Sequence, residues 1–275
     1  MVVPKKKIVF AHIVLILIGV FFFFPFLWLL DTSLKNDAQI FTFPPQWIPK
    51  PIQWSNYTRA LKTIPYMHYV GNTIQVTILS VIGNIISAPA IGYAFSKLHW
   101  KGRDKVFILV LATMMLPFQI TMIPLYSMYV KMGWINTWAP LVVPDFFGKA
   151  FFIFLMKQFF QSIPDDILEA GRIDGASEFR IYWQLILPLA KPAAVTVGLY
   201  AFMWSWTDFL GPLIYLTDSN KWTISIGLSQ FSSSHGLDWA LLMAGSAMFM
   251  LPMVILFLLM QRVFIEGIAT TGLKQ

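Results

Sequence analysis

The chain has 275 residues, of which 57% are hydrophobic and 12% charged, with a formal net charge of +7. Soluble domains carry about 25% charged residues, so this composition excludes a soluble fold and reads as a membrane protein. The positive charge is not a nucleic-acid patch, because most basic residues flank apolar runs, where they act as orientation signals. Cysteine is absent, which excludes disulfides and thiolate metal sites.

Lys5, Lys6 and Lys7 precede an apolar run over residues 8–30. A cleavable signal has an apolar core of only ~7–15 residues. This run is longer and ends in Leu-Trp-Leu-Leu-Asp, so residues 1–30 are expected to form an uncleaved first transmembrane helix. Residues 31–71 form an extracytoplasmic segment rich in proline and aromatics, with Phe41, Phe43, Pro44, Trp47 and Trp54. Ser55 is placed to cap a short helix through Tyr57, Ala60 and Leu61. The aromatics fit an interfacial collar or a landing surface for an external binding protein.

Five further spans are expected at 72–95, 106–126, 138–159, 193–216 and 239–261, each near the ~20 residues a bilayer needs. The membrane-spanning core is bounded at 72–262 and a tail at 263–275. Prolines within or beside spans, among them Pro89, Pro117, Pro124, Pro140, Pro144, Pro212 and Pro252, predict kinked helices around a cavity. With six spans, thirteen Lys and Arg residues lie on the side of the N-terminus and six on the other. The majority side is therefore cytoplasmic, with both termini and the segment 159–192.

That segment, 159–192, is too polar to cross a bilayer. Pro164 suits a first helical position, with Asp165 and Asp166 in the first turn, where the helix dipole favours negative charge. Gly171 weakens the end of this helix, and Gly175 can supply the positive φ of a tight corner. Asp174 is expected to cap a second helix from Ala176, with Phe179, Trp183, Ile186 and Leu187 on one face until Pro188. The two helices would display Glu169, Arg172 and Asp174 to water. An amphipathic loop resting on the membrane surface fits this composition as well as a docking knob for a soluble partner does.

Chemistry-bearing motifs are scarce. There is no GxxxxGK[ST] phosphate loop, so the chain carries no nucleotide-binding motif of that kind. There is no HExxH, and His12, His68, His99 and His235 lie far apart in sequence. No catalytic or metal-binding residue is expected, and the chain is not expected to be an enzyme. Asp145 and Lys149 stand four apart in the fourth span and can meet on one helix face, either as a functional site or as a mutually neutralising pair. Asp208 follows Trp204 and Trp206 in the fifth span, where an aromatic face beside a carboxylate could contact sugar. A proton-coupled carrier would need a longer chain of embedded titratable groups than these.

The run Glu169-Ala170-Gly171, Asp174-Gly175-Ala176-Ser177, Leu187-Pro188-Leu189 and Pro192 resembles the coupling loop of ABC importer permeases. Gly171 stands where the family often has a second alanine, and glycine costs about 1 kcal/mol relative to alanine inside a helix. The chain as a whole resembles the carbohydrate-uptake permease family, to which the smaller maltose permease subunit belongs. The matching pieces include Ser33-Leu34-Lys35, Asn56-Tyr57, Gly71-Asn72-Thr73, Leu116-Pro117, Ile123-Pro124-Leu125 and the ending from Phe264 to Lys274. Trp204 to Asp208 resembles the family's Trp-Asn-Asp/Glu segment, with Thr207 where asparagine is usual.

The resemblance implies an all-α, six-span permease domain over 1–275 in a bacterial or archaeal cytoplasmic membrane. It implies a second homologous permease chain, two ATP-binding subunits that hold ATP and Mg, an extracytoplasmic solute-binding protein and a sugar substrate. Glu169, Ala170, Gly171, Arg172, Asp174, Gly175 and Ala176 would couple the chain to the ATPase. Asp145, Lys149, Trp204, Trp206 and Asp208 would line the substrate pathway. An importer for another solute, such as glycerol phosphate or a polyamine, is the alternative; a phosphate substrate would favour more cavity cations than Lys149 alone.

Overall fold

The computed structural model describes the backbone of residues 5–233 and 236–272, and the side chains of 7–232 and 237–261. His235, Lys274 and the side chains of the expected tail at 263–275 lie outside the described residues. In chain order the helices are α1 (Lys5–Ser33), α2 (Asp37–Ile40), α3 (Ser55–Thr63), α4 (Tyr66–Ser96), α5 (Arg103–Thr113), α6 (Phe118–Lys131) and α7 (Ala139–Val142). A 3-10 turn over Val143–Phe147 separates α7 from α8 (Ala150–Gln161), and α9 (Asp166–Ile173) follows. Next, α10 (Glu178–Arg180) runs through a π-helical turn at Ile181–Ile186 into α11 (Leu187–Leu189). Then come α12 (Lys191–Trp206), α13 (Leu210–Tyr215), α14 (Ile224–Ser229) and α15 (Trp239–Gly272). A two-residue antiparallel pair, β1 (Ser232–Ser233) with β2 (Gly236–Leu237), precedes α15.

Among the described residues, four helical stretches are long and apolar enough to cross a membrane: Lys7–Ser33, Tyr66–Ser96, Ala139–Gln161 and Trp239–Gln261. Two bent pairs, α5 with α6 at 97° and Glu178–Leu189 with α12 at 77°, raise the number to six if each counts as one span. The expected span over 106–126 is thus two helices, bent where the prolines predict a kink. Leu116-Pro117 breaks it, because proline disfavours helical backbone in the residue before it and lacks the amide hydrogen to continue the ladder. The expected span over 193–216 likewise stops at Trp206 and resumes at Leu210.

The chain groups into two compact units, Met1–Met67 with Gly227–Pro252, and His68–Ile226 with Met253–Gln275. In the first, α1 exposes apolar side chains on all sides, as a helix solvated by lipid does. Ser55 begins α3 without capping it; Trp54 holds the cap position. Buried Asn56 donates from Nδ2 to the carbonyls of Ser33 (2.9 Å) and Lys35 (2.8 Å), and Ser33 Oγ lies 2.8 Å from Tyr57 Oη. The pieces Ser33-Leu34-Lys35 and Asn56-Tyr57 therefore meet. Arg59 and Asp238 form a loose ion pair at 3.7 Å, and Tyr66 Oη donates to Gly245 O.

The second unit is built on α4. Its core packs Ala88 and Tyr93 with Phe152, Met156 and Phe160 of α8, Leu168 of α9, Ile181 and Ile186 of the π turn, and Val197 and Ala201 of α12. Small residues let these helices approach closely, as in other membrane bundles. A Cβ on Gly92 would stand 2.7 Å from Met156 Cβ and 3.1 Å from the Lys157 amide nitrogen; one on Gly198 would stand 2.9 Å from Ile85 Cδ1.

Because the groups facing Gly92 include backbone, they cannot swing aside. Gly92→Leu is expected to cost at least the ~1–3 kcal/mol typical of overpacking. The midpoint of denaturant-induced unfolding in mixed micelles should fall accordingly, whereas Gly71→Ala, at a helical site with open space, should hold it or raise it by up to about 1 kcal/mol.

Candidate functional site

Two places gather the residues singled out in the sequence. The first is the helix–corner–helix after α8. The chain leaves α8 at Ser162, and Asp165 precedes α9 without a side-chain cap. Asp174 closes the C-terminus of α9, its amide donating to Ala170 O. The corner is made by Gly175 at φ 76°, a left-handed backbone that glycine adopts without a Cβ penalty. The expected cap by Asp174 on the second helix is corrected: Ser177 takes that position, its Oγ accepting from Arg180 N at 3.3 Å. Asp174 is spent on ending the first helix, and serine two residues beyond the corner has the extended backbone an N-cap needs.

Glu169, Ala170, Arg172, Asp174 and Gly175 are exposed, Ala176 is half-buried and Gly171 is buried. Gly171 packs against the second arm: a Cβ there would lie 2.9 Å from Leu185 Cδ1 and 3.2 Å from Ile181 Cγ1. Arg172 Nε donates to Glu178 Oε1 at 2.7 Å, which holds the guanidinium pKa above its ordinary value. Tyr93 Oη of α4 donates to Glu178 Oε2 at 3.1 Å. Arg172 thus ties the two arms together, while the carboxylates of Glu169 and Asp174 make no hydrogen bond or ion pair among the described residues. The expected apolar face is also corrected. Ile181 and Ile186 are buried, whereas Phe179 is 75% and Trp183 60% exposed, beside Ile173 at 85%. The π turn adds a residue per turn and rotates the side chains after Arg180 away from 3.6-residue spacing.

Lys97, just past α4, fixes the root of this corner. Its buried Nζ donates to Ile163 O at 2.5 Å and to Asp165 Oδ1 at 2.6 Å. That hydrogen bond and the lysine charge hold the Asp165 carboxyl below its ordinary value of 3.8. Neither Lys97 nor Glu178 was singled out in the sequence. Each is a charged residue whose partner lies far along the chain, a signal that spacing does not carry.

The second place lies among α4, α8 and α12. A cavity of ≈ 200 Å³ is lined by Ser80, Asp145, Lys149, Trp204, Ser205 and Asp208, with Val76, Leu141 and Pro212 as its apolar wall. Asp145 and Lys149 do pair, at 2.8 Å. They do not share a helix face, because the chain breaks between them: Gly148 has φ 86° and Lys149 is extended, so α8 starts only at Ala150. Asp145 is buried and also accepts from Ser80 Oγ, and its main-chain carbonyl accepts from Ser87 Oγ at 2.9 Å. Lys149 is partly open to the cavity, 5.9 Å from the Trp204 ring centroid.

Trp204 stacks on Phe152 at 4.9 Å and forms part of the wall. Trp206 does not line the cavity; two residues on, a helix points elsewhere, and its buried ring stacks on Phe202 at 5.4 Å. Asp208 lies in the break after α12, where Oδ1 accepts from Gly211 N at 3.1 Å and its carbonyl from Ser225 Oγ at 2.6 Å. Thr73, Thr77, Ser80, Asn84 and Ser87 form a buried polar seam on α4. Its four-then-three spacing was a signal available in the sequence.

Residues 83–269 match the family described as the binding-protein-dependent transport system inner membrane component, a range holding the corner and the cavity lining from Leu141 to Pro212. The chain belongs to this family. It is a multi-pass inner-membrane permease subunit of an ABC importer, a transport component and not itself an enzyme. The permease is 33% identical over 209 residues to the arabinooligosaccharides transport system permease protein AraQ of Halalkalibacterium halodurans, covering 76% of this chain and 75% of that one. It is 28% identical to the sn-glycerol-3-phosphate transport system permease protein UgpE of Yersinia enterocolitica, covering 94% and 95%. Among solved structures, a bacterial ABC transporter involved in the import of the acidic polysaccharide alginate superposes with a TM-score of 0.81 at 23% identity, over 95% of this chain and 99% of that one. This last likeness is one of fold.

The Lys97–Asp165 tie has a defined pH dependence. A carboxyl depressed in the folded state contributes its stability above the ordinary value of 3.8 and loses it as pH falls through the lower folded value. Hydrogen exchange of residues 163–176 should therefore speed up below that ordinary value. Lys97→Met should produce the same opening at neutral pH, with the exchange of residues 81–88 in α4 unchanged.

Proposed function

We propose that this permease carries a sugar or oligosaccharide by alternating access, driven by a separate ATPase through the loop around Glu169, Asp174 and Gly175. The observation that carries the coupling assignment is the exposed corner between α9 and α10. It is rigidly built by Gly175, the Ser177 cap and the Arg172–Glu178 pair, yet it leaves the Glu169 and Asp174 carboxylates unspent and Ile173, Phe179 and Trp183 bare. A soluble subunit supplies partners for both kinds of group.

In this reading the corner and both termini face the cytoplasm, as the lysine and arginine distribution favours. The working unit contains a second homologous permease, two ATP-binding subunits with ATP and Mg, and an extracytoplasmic solute-binding protein. ATP closes the ATPase dimer, whose clefts hold the two loops; the loops move as rigid levers, and the attached spans open the cavity outward. Hydrolysis resets it inward. The resident residues act by shape: Glu169 and Asp174 anchor the corner, and Ala170 and Ala176 allow close approach.

The sugar assignment is supported by the likeness to AraQ and by the cavity's chemistry. Trp204 offers an apolar face, and Ser80, Ser205 and Asp208 offer hydroxyl-matching polar groups. The likeness to UgpE favours a second reading, a glycerol-phosphate importer. The cavity's charge weighs against it: two carboxylates stand beside one lysine, and Asp145 already pairs with that lysine. A phosphate would need more cationic donors.

With the assembled importer in proteoliposomes, Glu169→Lys and Gly175→Pro should each abolish uptake and release ATP hydrolysis from control by the loaded binding protein, while membrane insertion persists. Normal uptake by either variant would overturn the coupling assignment. Stimulation of ATPase activity by a sugar-loaded binding protein, but not by a glycerol-phosphate-loaded one, is the expected substrate result.

A further inference from the structure

The turn between the second and third apolar stretches has a property the transport reading does not use. An open concavity of ≈ 510 Å³ is lined by residues 99–105, among which Lys101, Arg103 and Lys105 stand with a single carboxylate, Asp104. Arg103 is committed, through Nε to Asp104 Oδ1 at 3.0 Å and through Nη1 to Leu98 O at 3.2 Å. Lys101 and Lys105 are exposed and make no ion pair or hydrogen bond among the described residues.

The position of this turn restricts what can neutralise them. One apolar stretch ends at Ser96 and the next begins at Arg103. The short link spans at most about 20 Å even when extended, less than the ~30 Å hydrocarbon layer, so it is held at the boundary of one leaflet. Trp100 marks that boundary, its ring 5.7 Å from Phe95 and its Nε1 donating to Ala94 O at 3.2 Å. Directly beyond the lysines, α5 exposes Val106, Ile108 and Leu109. Cations at headgroup depth followed by a bare apolar wall match a molecule with an anionic head and acyl tails.

We propose that residues 99–105 form a binding site for the headgroup of an anionic phospholipid, with Lys101 and Lys105 as its phosphate ligands. The apolar face of α5 takes the adjoining acyl chain. The site sits at the leaflet boundary on whichever side that boundary faces, so it stands apart from the coupling assignment.

The assembled importer, purified in detergent and re-lipidated with phosphatidylcholine containing phosphatidylglycerol, tests this by native mass spectrometry. The wild-type complex should retain phosphatidylglycerol in preference to phosphatidylcholine. A basic side chain near a membrane surface contributes enough for roughly a fivefold change in retention each, so Lys101→Gln with Lys105→Gln should lower it about twenty-five-fold. Lys62→Gln should leave it unchanged, and each single variant carries the same test should the double variant assemble poorly. Undiminished retention in the variants overturns the proposal. So does displacement of the lipid by inorganic phosphate at matched concentration, which would make the ligand a soluble anion. Loss of an ATPase subunit with no change in lipid would make the patch a protein contact and overturn it equally.

Discussion

Within a bilayer, a polar group that loses its helical partner has no water to turn to, so every interruption of a span must be repaired by neighbouring protein. The interruption at Gly148 makes this demand in the fourth span. It leaves Asp145 buried and frees the backbone between a 3-10 turn and α8. The repair comes from α4: Ser80 bonds the Asp145 carboxylate, Ser87 its carbonyl, and a close approach at Gly83 brings the helix backbone against Phe146 and Asp145. Lys149 completes the neutralisation from the same chain segment. Truncating one member of such a pair leaves a buried charge exposed to apolar surroundings, which costs far more than the pair itself contributes.

The same helix reaches the exposed corner. Towards its end, α4 contributes Tyr93 to Glu178, and Lys97 then fastens Ile163 and Asp165. One rod therefore contacts the cavity at Ser80 and the corner at Tyr93 and Lys97. Gly92, packed on Met156 and Lys157, locks it to α8 between those points. The corner and the cavity wall therefore share one continuous helix, the connection that the proposed lever uses.

Much of this was legible in the sequence because it depends on local rules. Apolar runs mark spans, and Gly175 supplies the positive φ of the corner. What failed were inferences that assumed an unbroken helix. Asp145 and Lys149 were placed on one face by four-residue spacing, but they pair across a break. Phe179 and Trp183 are expected on one face with Ile186, but Pro188 lacks the amide to bond four residues back, the preceding turn widens to a π-helix, and only Ile186 is buried. Trp206 was grouped with Trp204 although two residues along a helix diverge. The ties made by Lys97 and Glu178 were invisible for a different reason: their partners are set by tertiary packing, which no spacing encodes.

In the proposed coupling, the corner between α9 and α10 seats on an ATPase subunit. The chain has no native cysteine, so a single Asp174→Cys substitution gives a unique thiol at the corner. Bifunctional cross-linking of the assembled importer should join this thiol to the ATP-binding subunit, with a yield that changes when ATP is added. Lys50→Cys, in the segment assigned to the opposite side, should not cross-link to it. Cross-linking at residue 50 with none at residue 174 would contradict both the coupling assignment and the orientation on which it rests.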